Sequence, residues 1–178
     1  MGYYSEQISI VIKGRYPKDY PVREILKYVT HENYKDAEGK KHTGSKVRFY
    51  GGYGVLCKNM KTMERDMERV RKHFKKDSGR KFYHVTITPK YNIPAGKLDI
   101  VAKKLCKKYF HDYQSVYGIH ESTGRPHIHI CLSSVSIHDG KKFQVPYPYY
   151  GEGYKNFHRG IERFIVEALE KEGINIVI

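Results

Sequence analysis

Apolar residues recur along this chain with two different periods, and the switches between them outline a mixed fold. Residues 7–13 alternate as a strand, and Val22, Ile25, Leu26 and Val29 then fall on one face of a helix predicted over residues 22–34. Residues 40–57, rich in glycine and aromatic residues, read as loop with short strands. Met60, Met63, Met67, Val70 and Phe74 recur at helical spacing, which predicts a helix over 60–76, closed by Asp77-Ser78-Gly79, with the methionines as core packing. A strand over 81–88, a turn over 89–96 and a helix over 97–111 follow. That helix turns Leu98, Val101, Ala102 and Leu105 inward and Lys103, Lys104, Lys107 and Lys108 outward. Residues 113–119 and 127–133 read as two strands of a hairpin around the polar turn 121–126. A last helix over 154–171 carries Phe157, Ile161, Phe164, Ile165 and Ala168 on one stripe, and Gly173 stops it. Strands and helices mix without a strand-helix-strand rhythm, so the expected class is α+β, a central antiparallel sheet flanked by helices.

With 178 residues the chain is long enough for a sizeable core, since folding at this length buries roughly 70 % of the unfolded surface. No repeat or linker divides it, so one domain is expected over 1–178, standing alone or as the N-terminal part of a longer protein. No run approaches the ~20 apolar residues of a membrane span, and the N-terminus lacks the features of a secretory signal. A cytoplasmic protein is expected. Cys57, Cys106 and Cys131 are odd in number and widely spaced, which predicts reduced, mostly buried thiols and excludes a zinc ribbon. Charge changes the picture most. Lys and Arg number 33 against 19 Asp and Glu, a net charge of +14, and there are 17 tyrosines, many beside basic residues. Aromatic rings stack bases while lysines follow phosphates, so single-stranded nucleic acid is the expected partner.

The candidate chemistry lies in residues 120–132. Alternate side chains of a strand share a face, so His127 and His129 point together while Ile128, Ile130 and Leu132 enter the core. A hairpin brings His120 beside them. Three neutral imidazoles with open coordination positions make a catalytic rather than a structural metal site. In the strand over 81–88, Tyr83, Val85 and Ile87 alternate with His84, Thr86 and Thr88, which predicts one apolar and one wet face. A basic protein with an open metal site suits phosphoryl transfer, and a tyrosine can supply the nucleophile. Composition does not choose among the tyrosines.

The segment from His120 to Leu132, followed by Asp139-Gly140-Lys141-Lys142, resembles the third motif of plasmid mobilisation relaxases of the MobP group, enzymes of the HUH endonuclease superfamily. Glu24-Ile25-Leu26-Lys27-Tyr28-Val29-Thr30-His31-Glu32-Asn33 resembles their first motif and Phe82-Tyr83-His84-Val85-Thr86-Ile87-Thr88 their second, in the family order. The resemblance implies site- and strand-specific DNA nicking, with Tyr28 as nucleophile, a 5′-phosphotyrosine intermediate, and His120, His127 and His129 as ligands of Mg²⁺ or Mn²⁺. Thr88 is implied as a DNA contact. Lys90 and Arg125 are expected near the phosphates, and Glu121 and His84 behind the metal ligands. Where the family usually has an acid two residues after the first histidine, this chain has Ser122, with Glu121 adjacent. The implied partner is single-stranded DNA at an origin of transfer, with accessory proteins of the same assembly, and the chain is expected to act as a monomer. Tyr28 lies about 110° from the centre of its helix's apolar stripe, a position from which its ring flanks the core. Two other readings are a replication initiator or transposase using Tyr150 or Tyr154, and a non-catalytic module binding single strands.

Overall fold

The computed structural model describes residues 2–5, 7–14, 16–17, 20–30, 32–43, 49–121 and 124–175. Its elements in chain order are β1 (Gly2–Tyr4), β2 (Ile8–Lys13), α1 (Val22–Val29), β3 (Tyr34–Lys35), β4 (Lys41–His42), β5 (Tyr50–Tyr53), α2 (Met60–His73) and β6 (Phe82–Pro89). Then come α3 (Ala95–Lys104), continued by a π-helical turn over Leu105–Tyr109, β7 (Tyr113–His120), β8 (His127–Ser136) and α4 (Glu152–Glu170). Six strands form one sheet in the order β1-β2-β6-β8-β7-β5, and every pairing in it is antiparallel. The α+β class with a helix-flanked antiparallel sheet is what the sequence pattern predicts.

The two faces of the sheet hold separate cores. On one, Ile8, Ile10 and Ile12 of β2, Val85 and Ile87 of β6, and Ile128, Ile130 and Leu132 of β8 pack against Leu98, Val101 and Ala102 of α3 and Ile161 and Ile165 of α4. Each such aliphatic side chain, fully buried, contributes about 1.5–3 kcal/mol. On the other face, Phe82, Val116 and Cys131 meet Val22, Ile25, Leu26 and Val29 of α1 and Met63 and Met67 of α2. The methionines are therefore core packing.

Here the structure corrects the expectation of a simply wet second face. The positions of one alternation set need not share one environment: Phe82 and Cys131 lie under α1 and α2, while His84 and His129, two residues away on the same strands, lie at the edge of that cover. The burial comes from helices distant in sequence, so the period of 2 alone does not reveal it.

The first helix is also shorter than predicted. The Thr30 hydroxyl donates to the Leu26 carbonyl at 3.0 Å, and the Glu32 amide donates to the Lys27 carbonyl at 2.7 Å, which wraps the chain around the helix end. The Lys35 amide then donates to the Glu24 carboxylate at 2.6 Å, so the segment predicted to continue the helix instead runs back along it into the β3-β4 hairpin. Tyr28 thereby falls in the last turn of α1. Lysines 103, 104, 107 and 108 lie on the α3 side of the sheet, where Lys104 pairs with Glu172 at 2.8 Å.

Candidate active site

The antiparallel register of β7 and β8 places His120 directly opposite His127, with Gly118 opposite His129. Alternation then puts the three imidazoles on the face that α1 and α2 partly cover. Their candidate ligand nitrogens all lie within 4.8 Å of one another. His120 and His129 are buried, 3 % and 4 % exposed, whereas His127 at the start of β8 is half-buried.

Hydrogen bonds fix which nitrogen of each ring carries the proton. His120 Nε2 lies 3.1 Å from the Val29 carbonyl oxygen, and His127 Nδ1 lies 3.0 Å from the Arg125 carbonyl oxygen. A carbonyl only accepts, so those nitrogens are protonated. The lone pair, which a metal needs, then resides on His120 Nδ1 and His127 Nε2.

His129 is held by a side-chain chain instead. Its Nδ1 is 2.8 Å from His84 Nε2, and His84 Nδ1 is 3.0 Å from the Tyr16 hydroxyl. Thr86 Oγ1 adds a contact to His129 Nδ1 at 3.2 Å. Burial, helped by the positive field of Lys13 and by His120, pushes the His84 imidazole down to about 3, so it is neutral at physiological pH. A neutral His84 has one proton and two settings. If His129 donates to it, His84 donates onward to Tyr16 and His129 Nε2 has its lone pair for a ligand bond. In the reverse setting His129 Nε2 is protonated and cannot ligate. An ion held by the triad would select the first.

Above this cluster sits Tyr28. Its ring centroid is 5.0 Å from that of His129, 5.3 Å from His84 and 5.4 Å from His120. The sequence-predicted residues His84, His120, His127, His129 and Tyr28 are thus brought together. Thr88 shares their face of β6, opposite Ser9 of β2, and is half-buried. Arg125 is exposed in the hairpin turn, where its carbonyl orients His127. Lys90 is exposed just past β6, its amide donating to the Gln7 carbonyl at 2.9 Å. Glu121 is exposed, and among the described hydrogen bonds the side chains behind His129 are His84 and Thr86. Ser122 lies outside the described residues. Tyr150 is 81 % exposed, and Tyr154 begins α4, the helix packed on the face away from the triad.

Sequence reasoning missed Tyr16 and Thr86. Thr86 carried a usable signal, since it alternates in phase with His84 and Thr88 and pairs with His129 in the sheet. Tyr16 carried none, because 68 residues separate it from His84.

Comparison with known proteins agrees with this geometry. No curated protein matches the sequence significantly. A solved structure described as "Molecular Basis of Vancomycin Resistance Transfer in Staphylococcus aureus" superposes with a TM-score of 0.60 at 11 % identity, covering 99 % of this chain and 96 % of that one, a likeness of fold. The family model "Relaxase: MobA/VirD2-like, nuclease domain" matches residues 28–163, a stretch that holds Tyr28, His84 and the histidine triad. On that match the chain belongs to the MobA/VirD2-like relaxase nuclease domains.

Proposed function

We propose that this relaxase domain nicks one DNA strand by transesterification on Tyr28 and holds the cut end as a 5′-phosphotyrosine. The observation that carries the reading is the packing of the Tyr28 ring against His84, His120 and His129, with centroids 5.0–5.4 Å apart. The tyrosine oxygen forms a bond to phosphorus, the bond from phosphorus to the 3′ oxygen breaks, and that oxygen leaves as a 3′-OH after taking a proton. One phosphoester replaces another, so the 3′-OH can later attack the phosphotyrosine and rejoin the strand.

His120, His127 and His129 fit a divalent ion, because one candidate ligand nitrogen of each lies within 4.8 Å of the others and a backbone carbonyl holds one nitrogen of His120 and of His127. Such an ion supplies polarisation of a phosphate oxygen and neutralises charge in the transition state. Three imidazoles are a nitrogen donor set, which suits Mn²⁺ better than the harder Mg²⁺. Thr88, Arg125 and Lys90 line the approach on the same end of the sheet and hold the strand, Thr88 by hydrogen bonding and the cations by phosphate contact. The substrate is single-stranded DNA at an origin of transfer, bound by one copy of the chain in the cytoplasm, where accessory proteins help expose the strand. A downstream nucleophile is disfavoured because Tyr154 is buried on α4, across the sheet from the histidines.

The test is mass spectrometry of the protein after incubation with single-stranded oligonucleotides carrying the origin sequence and Mn²⁺. A nucleotide adduct on the peptide containing Tyr28 is expected. An adduct on Tyr150 or Tyr154, or tight binding with no adduct at all, would overturn the reading.

A further inference from the structure

At the end of the sheet away from the triad, two cavities meet around Gly14 and Arg80. One, of about 620 Å³, opens on the α4 side between Lys13, Arg80, Tyr83, Lys142, Tyr149 and Tyr154. The other, of about 300 Å³, opens on the α1 side against Tyr16, Tyr20, Lys81 and Phe82. Gly14 and Arg80 border both, so they form one groove around the sheet end. Among the described residues, neither cavity is lined by an acidic one.

Lys97, Lys104, Arg23 and Arg159 each sit within ion-pair distance of a carboxylate. Lys13, Arg80, Lys81 and Lys142 have no carboxylate partner among the described residues. Two of them are nevertheless held in place by neutral groups. Arg80 donates through Nε to the Gly14 carbonyl at 2.7 Å, bonds the Tyr83 hydroxyl through Nη1, and stacks over the Tyr83 ring at 4.6 Å. Lys142 donates to the Ser78 carbonyl at 2.6 Å. These are positive charges held by neutral groups and, among the described residues, without a carboxylate partner, oriented before any ligand arrives.

Aromatic faces lie between the charges. Tyr16 and Tyr20 stack at 5.1 Å on the α1 side, and Lys13 sits over the Tyr16 ring at 4.9 Å. On the α4 side Tyr149 stands between Tyr154 and the 81 % exposed Tyr147 at the rim. Alternating cations and aromatic rings, with no acid among the described lining residues, match a chain that alternates phosphates and bases. Duplex DNA buries its base faces and has no use for the rings.

We propose that this groove binds single-stranded DNA outside the active site, with phosphates on Arg80 and Lys142 and bases against Tyr149. From His129 to Ser134, which borders the larger cavity, β8 spans five residues, roughly 16 Å, so the groove takes nucleotides beyond those at the triad. Tyr16 marks the junction, lining the groove while its hydroxyl meets His84 behind the metal ligands. The proposal rests on the domain's being a DNA nuclease but not on Tyr28 as its nucleophile.

The test is fluorescence anisotropy with a labelled oligo-dT of about 15 nucleotides, comparing the whole protein with Arg80→Gln/Lys142→Gln, Arg80→Lys/Lys142→Arg and Tyr149→Leu. Circular dichroism checks the fold of each. The Gln pair is expected to weaken binding at least tenfold and to flatten the salt dependence by about 1.4, two single-strand phosphate contacts at ~0.7 each. The charge-preserving pair restores most of the affinity. Tyr149→Leu weakens binding about tenfold with the salt slope unchanged. Unchanged affinity in folded Gln and Leu variants would overturn the proposal, as would an equal loss on a duplex of the same length. A protein that binds through Arg80 and Lys142 but forms no Tyr28 adduct retains this groove and loses the nicking mechanism; the converse result loses the groove alone.

Discussion

His120 Nε2 donates to the carbonyl oxygen of Val29 at 3.1 Å, which ties the end of β7 to the last residue of α1 and so sets the helix turn carrying Tyr28 over the imidazoles. One ring therefore combines a candidate ligand nitrogen with an anchor for the tyrosine's helix. Removing it leaves a buried carbonyl without its donor, at a cost of about 1–3 kcal/mol. His127 is half-buried and bonds only the exposed hairpin turn. In chelator, His120→Ala is expected to lower the thermal midpoint clearly and His127→Ala hardly at all. Equal effects of the two would mean that the Val29 bond does not hold α1.

Tyr28→Phe keeps the ring against His84, His120 and His129 and deletes only the oxygen. Folding, Mn²⁺ binding and single-strand binding are expected to stay within about twofold of the parent, while the covalent adduct disappears. Slow hydrolysis by water can persist in this variant, so the measurement that counts is adduct mass and not strand scission.

With an ion on the triad, His84 would accept a hydrogen bond from His129 Nδ1–H and so leave the lone pair on His129 Nε2. Loss of such a partner typically costs 10–100-fold in metal affinity. That loss is expected for His84→Ala by calorimetry with Mn²⁺. His84→Gln, whose carbonyl oxygen can accept the same proton, should recover much of it. If Ala and Gln bind Mn²⁺ as tightly as the parent, the Tyr16-His84-His129 chain has no part in the metal site.

A nitrogen donor set predicts that Mn²⁺ raises the melting temperature far more than Mg²⁺ at the same concentration. At a hundredfold excess over Kd the ligand adds about 2.7 kcal/mol, or roughly 5–10 °C for a chain of this size. The rise is expected to vanish with chelator and in His127→Ala/His129→Ala. Stabilisation by Mn²⁺ that survives in the double variant would place the ion elsewhere.

Burial and then the nearby Asp66 carboxylate push the Cys57 thiol up to about 11, and burial holds Cys106 at about 12. The thiolate is the reactive form, so alkylation of native Cys57 at pH 8 should be slow. It should quicken about tenfold per pH unit towards pH 11. Unfolding should bring all three cysteines to the rate of an ordinary thiol near pH 8.5. Fast labelling of Cys57 in the native protein at pH 8 would contradict the buried setting.

The sequence by itself determined what depends on local geometry. A period of 2 puts His127 and His129 on one face of β8, and the polar turn after His120 makes it their direct neighbour in the hairpin. Helical spacing likewise placed the buried stripes of α1 and α3, Met63 and Met67 of α2, and Ile161, Ile165 and Ala168 of α4, while on α2 it is Asp66 and Arg71, not Val70 and Phe74, that are buried. Only the tertiary structure decided the rest. The proton position on each imidazole depends on Val29, Arg125 and His84, and the Val29 and His84 contacts span 91 and 45 residues of chain. The second core on the histidine face, the early end of α1 and the groove at Arg80 have the same origin, since each is made by segments that meet only after the sheet closes. Periodicity reports the direction in which a side chain leaves its own element; which partner it meets is settled by the packing of elements far apart in sequence.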